Sequence, residues 1–300
     1  MCIRDRDNNV FNVVVNAFKS CFDNVKQHFP ECDVEFDPEK MSVSLTDLMR
    51  YVKGPKRFAF IDEYDSAFIE LYEVYKTGSG EEKVKAKKYA EQIYAFIDRS
   101  CRDYACQFLL TGIVCLEYDD FFSDPSMIFG LGFDIYNIPW REYHLVSMEE
   151  FINSKGFETR SVPDSEEQAQ LTKWYGGYTL IRSHEIIGNY LNLYSLIQYY
   201  SRLTFREYFR TSGCTKWLRK FLQREDVILY VNEILSATDK IIIDLRNTPF
   251  LRGGRDDVLS LLVKCGYLVL DSKVDDISSY NVNIPNEECR KVLKLSLIHI

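Results

Sequence analysis

The run Phe58-Ala59-Phe60-Ile61 leads without a break into Asp62 and Glu63, followed by Tyr64 and Asp65. A continuous apolar run of this length suits a strand buried on both faces, as in a parallel α/β sheet. The two carboxylates then stand at the carboxyl end of the strand, the edge where α/β folds place their chemistry.

This is the pattern of a Walker B strand in a P-loop NTPase. In such a strand the first acid holds Mg2+, directly or through water, and the second polarises the attacking water. A second apolar run, Gln107 to Ile113, reads as another strand and carries Thr111 and Gly112 near its end. Between the two lies the polar segment Glu81 to Arg102, with Val84, Tyr89, Ile93, Tyr94 and Ile97 at helical spacing. Strand, long crossover helix, strand implies parallel neighbours and a right-handed connection. Thr111 is therefore expected on the same edge as Asp62 and Glu63. In ring-type and signalling ATPases a polar residue at this point touches the γ-phosphate or the attacking water.

Further words of the sequence carry a resemblance. FIDEYD, FLLTGIV, FFSDPSMI, WYGGYTL, NLYSLIQYY, RTSG, LLVKCGYLV and IPNEECR occur in that order between about residues 58 and 293. The chain resembles the AAA-ATPase-like family often joined to a PD-(D/E)XK nuclease domain. There the corresponding words read roughly LIDEYD, FLTGVSK, FSGLNNL, WYNGY, NPWSLL, NTSG, LLxxxGYL and IPNEEVR. This sequence departs from them at Gly176, where the family has Asn, at Phe122 to Ile128, and after the second strand, where a Lys is lost and Cys115 stands nearby. The resemblance implies an ATPase whose cofactors are ATP and Mg2+. Asp62 would hold the metal, Glu63 would orient water as a catalytic residue, and Thr111 would sense the γ-phosphate.

Family members open with a Gly-rich phosphate-binding loop, but no G-x-x-x-x-G-K-[ST] occurs in this sequence. Gly54, the early glycine, lies in Lys53-Gly54-Pro55-Lys56, a turn before the first strand. Residues 1–6 and 295–300 do not match the family. Both read as translated sequencing-adapter sequence, and they are set aside from the fold. The expected reading is a fragment, inactive alone, of an ATP-binding and ATP-hydrolysing protein coupled to an unknown process. The alternative is a non-catalytic interaction or nucleic-acid-binding module on a degenerate NTPase scaffold. A metal-dependent nuclease built on Asp62 and Glu63 is disfavoured, because no following strand supplies acid-x-Lys.

The expected fold is α/β. A truncated P-loop NTPase core with a parallel sheet spans 7–160, and a mostly helical region ending in a winged-helix-like unit spans 161–294. Within the first part, Phe11 to Val15 reads as a strand, Ala17 to Phe29 as a helix, and Ser44 to Val52 as a helix with Ser44 and Asp47 in a capping-like pair. Phe133 to Ile138 reads as a further strand. Then come a short helix at Met148 to Ile152 and helices at Asp164 to Tyr175, Leu193 to Ser201, Thr215 to Gln223 and Asp226 to Leu235. Trp174-Tyr175-Gly176-Gly177-Tyr178 fits a helix C-cap and turn anchored by buried rings. Asp256 to Lys264 reads as a helix ended by Gly266. Strands at Tyr267 to Leu270 and Tyr280 to Ile284 then flank an acidic tip, which would repel phosphate.

The segment Arg202 to Arg224 is locally basic, with Arg202, Arg206, Arg210, Lys216, Arg219, Lys220 and Arg224 against the single acid Glu207. Phe205, Tyr208, Phe209, Trp217 and Phe221 are interleaved. Cations on backbone and rings on bases would make this a nucleic-acid contact; two amphipathic helices with solvated basic faces would give the same pattern. The net charge of −8 argues against a protein that coats nucleic acid globally. No apolar stretch approaches a membrane span. Nine cysteines without C-x-x-C point to a reducing, cytoplasmic setting, and the four histidines have no metal spacing.

Overall fold

A computed structural model describes residues 10–52, 57–61, 64–104, 106–110, 145–154, 162–182, 185–209, 221–222, 224–237, 240–244, 254–274 and 279–298. The chain divides into two compact units, residues 1–129 and 130–300.

The first unit begins with helix α1 (Val10–Lys26). The strand expected at Phe11 to Val15 is part of this helix. Its β-branched residues favour a strand locally, but over a longer window Phe11, Val14, Phe18 and Phe22 fall on one helical face. That face is used: Phe11 and Tyr89 meet edge to face at 5.2 Å, and Phe18 and Phe96 at 6.0 Å. A single 3-10 turn at Pro38–Lys40, capped by Asp37, leads into α2 (Met41–Leu48). Ser44 does not cap this helix. It lies inside, and its hydroxyl donates to the carbonyl of Lys40 at 3.2 Å.

Strand β1 (Arg57–Ile61) is followed by α3 (Tyr64–Thr77), α4 (Gly80–Tyr104) and β2 (Cys106–Leu110). Ser79 and Glu82 close the start of α4. The Glu82 carboxylate accepts from the Ser79 amide at 2.8 Å and from its hydroxyl at 2.9 Å. Tyr89 and Ala90 on α4, Phe68 and Leu71 on α3, and Met41 and Leu48 on α2 are buried. Each large apolar side chain so buried contributes roughly 1.5–3 kcal/mol. Gln92 pins α4 to the 3-10 turn by donating to the carbonyl of Glu39 at 3.0 Å, and it accepts from the amide of Ser42 at 3.3 Å.

β1 and β2 pair in parallel, with Arg57 opposite Cys106 and Ile61 opposite Leu110. The long connection through α3 and α4 is what permits this direction.

The second unit holds β3 (Leu145–Val146), α5 (Met148–Ile152), α6 (Ser165–Tyr175), β4 (Tyr178–Arg182), β5 (Glu185–Asn192) and α7 (Leu193–Arg202). After them come α8 (Glu225–Ser236), β6 (Ile241–Asp244), α9 (Arg255–Lys264), β7 (Val269–Lys273), β8 (Ser279–Asn283) and α10 (Glu287–Ile298). Two three-stranded sheets form, in the orders β3-β5-β4 and β6-β8-β7, and all their pairings are antiparallel. Their geometry follows from their connections. Two residues between β4 and β5, and five between β7 and β8, are too few for a parallel crossover.

The expected fold class is corrected by these sheets. The parallel sheet of a P-loop core is not found among the described residues. Helices dominate, and the strands outside the β1–β2 pair belong to small antiparallel sheets. Within 161–294 the described helices are interleaved with the strands β4 to β8. The strand expected at Phe133 to Ile138 and most of the helix expected at Thr215 to Gln223 fall outside the described residues. Gly266 does end α9, at φ +77°. α10 continues through Leu295 to Ile298, residues that the sequence comparison set aside.

Candidate functional site

The first candidate is the carboxyl edge of the β1–β2 pair. Ile61 and Leu110 face each other in register, and the residues that follow them in the chain are Asp62 and Thr111. Asp62, Glu63 and Thr111 lie outside the described residues, as do Cys115 and the stretch Phe122 to Ile128. Two adjacent carboxylates and a hydroxyl are hard oxygen donors, the set that Mg2+ takes. Among the described residues no three His, Cys, Asp or Glu side chains cluster to hold a metal.

The second candidate was not visible as a unit in the sequence. It is a buried polar junction where three of the sequence words meet: Trp174 to Tyr178, Asn192 to Leu196, and Pro285 to Cys289. Glu288 sits at its centre, fully buried in the first turn of α10. Its carboxylate accepts from the Ser195 hydroxyl at 2.8 Å and from the Phe209 amide at 2.7 Å. Burial pushes its pKa up to about 7, against the amides of Phe209 and Tyr208 and the Ser195 hydroxyl, which pull it down.

Side-chain caps place these groups. Asn192 caps α7 by accepting from the Ser195 amide at 3.1 Å, which fixes the turn that aims Ser195 at Glu288. Asn286 accepts from the Cys289 amide at 3.0 Å and donates to the Gly176 carbonyl at 2.8 Å. Gly177 has φ +78°, and a Cβ there would meet the Pro285 carbonyl oxygen at 2.2 Å. The double glycine thus serves two purposes. It ends α6, and it lets the chain pass flush against the start of α10.

Tyr178 and Cys289 complete the junction, with hydroxyl and sulfur 3.3 Å apart. Burial raises the Tyr178 hydroxyl pKa well above its usual value and pushes the Cys289 thiol up to about 12. Cys289 is therefore an inert thiol, not a nucleophile. A hydroxyl on a carboxylate is half of a nucleophile–base arrangement. Here Ser195 and Glu288 are both fully buried, and the junction positions backbone.

The basic segment is partly described. Arg202 and Arg206 lie over the Tyr208 ring, and Arg224 lies over Phe221 at 5.3 Å. Residues 210–220 and 223 fall outside the described residues. Sequence reasoning missed Glu288, Ser195 and Asn286. The available signal was that a cap-forming Asn precedes both helices, in Asn192-Leu193-Tyr194-Ser195 and in Asn286-Glu287-Glu288-Cys289.

Comparison with known proteins finds no matching family model, no matching curated protein and no matching solved structure. No described helix is long and apolar enough to cross a membrane.

Proposed function

We propose that the carboxyl edge of β1 and β2 is the Mg2+ and γ-phosphate side of an ATP site in the complete protein. The observation that carries this reading is the parallel register, which ends both strands at one edge with Asp62 and Thr111 next in the chain. In this reading Asp62 holds the metal, Glu63 orients the attacking water and Thr111 contacts the γ-phosphate. The reading rests on this strand pair and on the order of the sequence words, and it requires no wider parallel sheet.

Binding of the triphosphate needs backbone amides and a Lys that cradle it. None of the 300 residues forms the sequence motif for that cradle. The 300-residue chain alone is therefore proposed not to turn over ATP. A reducing, intracellular setting is part of this proposal, supported by nine cysteines without a C-x-x-C pattern.

The test is steady-state phosphate release by a form of the protein that carries a phosphate-binding loop, as wild type and as Glu63→Gln. Loss of a water-orienting carboxylate slows turnover ~10²–10⁴-fold while ATP still binds. Equal turnover by the two proteins would remove Glu63 from the mechanism. Turnover by the 300-residue chain, abolished by Glu63→Gln, would refute the need for a separate phosphate loop.

A further inference from the structure

Aromatic rings and cations gather at one place in the second unit. Phe205 stacks on Tyr199 at 4.4 Å, on Trp174 at 5.9 Å and on Tyr175 at 6.1 Å. Tyr208 extends the array, 6.1 Å from Tyr175. Three exposed cations sit on these rings: Lys291 at 4.2 Å over Trp174, and Arg202 and Arg206 at 5.7 and 5.8 Å over Tyr208.

These cations rest on ring faces rather than on carboxylates. None of the three makes an ion pair among the described residues. A ring face holds a cation in place without neutralising it, so its N–H donors stay available to an anion. Arg206 is further fixed by its backbone, whose amide donates to the Tyr175 hydroxyl and whose carbonyl accepts from it, both at 3.2 Å. The nearby acids are Glu167, which takes the Tyr199 hydroxyl at 3.1 Å, the half-buried Glu207, and the buried Glu288, whose carboxylate takes the Ser195 hydroxyl and the Phe209 amide. In a chain of net charge −8, three exposed cations without an ion pair among the described residues are a local asymmetry. The sequence then runs from Tyr208 to Arg224 with further cations and no acid.

We propose that this face binds single-stranded nucleic acid, with Arg202, Arg206 and Lys291 on phosphates and the half-buried Trp174 and Phe205 as the platform for a base. Cations alone would suit any polyanion; partly exposed rings beneath them favour a ligand that has both phosphates and unpaired bases. A duplex keeps its bases stacked and offers the rings nothing. Lys291 swings off Trp174 when a base takes its place. The proposal uses neither Asp62, Glu63 nor ATP, so it stands or falls separately from the nucleotide site.

The test uses the 300-residue chain and a fluorescein-labelled oligothymidylate of about 20 nucleotides, followed by anisotropy from about 50 mM to about 200 mM salt. Wild type is expected to bind at the low end with a steep salt dependence. Arg202→Gln/Arg206→Gln/Lys291→Gln should bind at least about tenfold more weakly, with a slope shallower by about 2, since each phosphate contact on a single strand contributes about 0.7. Quenching of tryptophan fluorescence on binding should be reduced in Trp174→Phe. Circular dichroism checks that each variant keeps its fold. Three results would overturn the proposal: no binding by wild type at low salt, an unchanged slope in the triple variant, or competition by polyphosphate equal to that by the oligonucleotide at matched charge.

Discussion

The Ser195 hydroxyl donates to the Glu288 carboxylate at 2.8 Å across a separation of 93 residues, and both side chains have no exposed surface. With the Phe209 amide on its other oxygen, this one carboxylate ties together the start of α7, the chain that follows it, and the start of α10.

Glu288 should make stability depend on pH near neutrality. Its pKa is raised from 4.5 to about 7 by burial. Between these values the folded state holds a proton that the unfolded chain has released, so stability falls as pH rises and levels off above about pH 7. The full effect is about 3 kcal/mol. Tyr175, Tyr178, Tyr208 and Cys289 surround it, and all are shifted upward, so they stay neutral over this range. The depressed acids Glu82, Glu150 and Glu233 change stability only at lower pH, where it is lost as pH falls. Glu288→Gln should flatten the profile between about pH 5 and about pH 7. Urea midpoints across that range measure it, and parallel profiles for the two proteins would show that Glu288 does not titrate there.

Gly177→Ala should cost about 3 kcal/mol or more. It combines a left-handed backbone, about 1–2 kcal/mol for an L residue, with a Cβ that would lie 2.2 Å from the Pro285 oxygen. Gly188→Ala is the control, because the nearest atom to its Cβ would be a Thr179 methyl at 3.6 Å. It should stay within about 1 kcal/mol of wild type. Similar losses in both variants, by thermal or urea unfolding, would mean that the approach of Gly177 to Pro285 is not a constraint.

Asn286→Ala should destabilise by about 2–3 kcal/mol, because it removes a helix cap and leaves the Gly176 carbonyl without its donor. Asn286→Asp keeps the cap but not the donor, and it adds a buried charge beside Glu288. It should therefore be no better than the alanine variant near pH 8 and better than it near pH 5. An Asn286→Asp protein as stable as wild type at both pH values would contradict this role for the amide.

Tyr175→Phe should cost about 1–2 kcal/mol, since its hydroxyl both donates to and accepts from the backbone of Arg206 and is buried among rings. Unfolding measurements on the variant check this, and a loss below about 0.5 kcal/mol would count against it.

What could be read from the sequence was local. The helix at Met148 to Ile152 has its limits set by a capping box between Ser147 and Glu150, and Gly266 ends α9 because the chain must turn through positive φ there. The in-register ends of β1 and β2 were legible from two apolar runs and the helical spacing between them. Phe11 to Val15 was misread because β-branched residues favour a strand over five residues, whereas the face that packs on Tyr89 and Phe96 shows only over three turns. The β4–β5 hairpin was missed because Ser183 and His184 are not a favoured hairpin-turn pair. Glu288 was not singled out because its burial depends on partners brought from Ser195 and Phe209, and no local pattern encodes that.

The proposed nucleotide site is tested most directly by the metal. With a phosphate-binding loop present, Mn2+ can replace Mg2+, and electron paramagnetic resonance counts the ions bound with and without ATP. Wild type should bind one ATP-dependent Mn2+ per chain, and Asp62→Ala should lose it, weakening metal-dependent ATP binding by about tenfold or more. Unchanged ATP-dependent Mn2+ binding in Asp62→Ala would contradict the assignment of the β1–β2 edge as the metal side of the site.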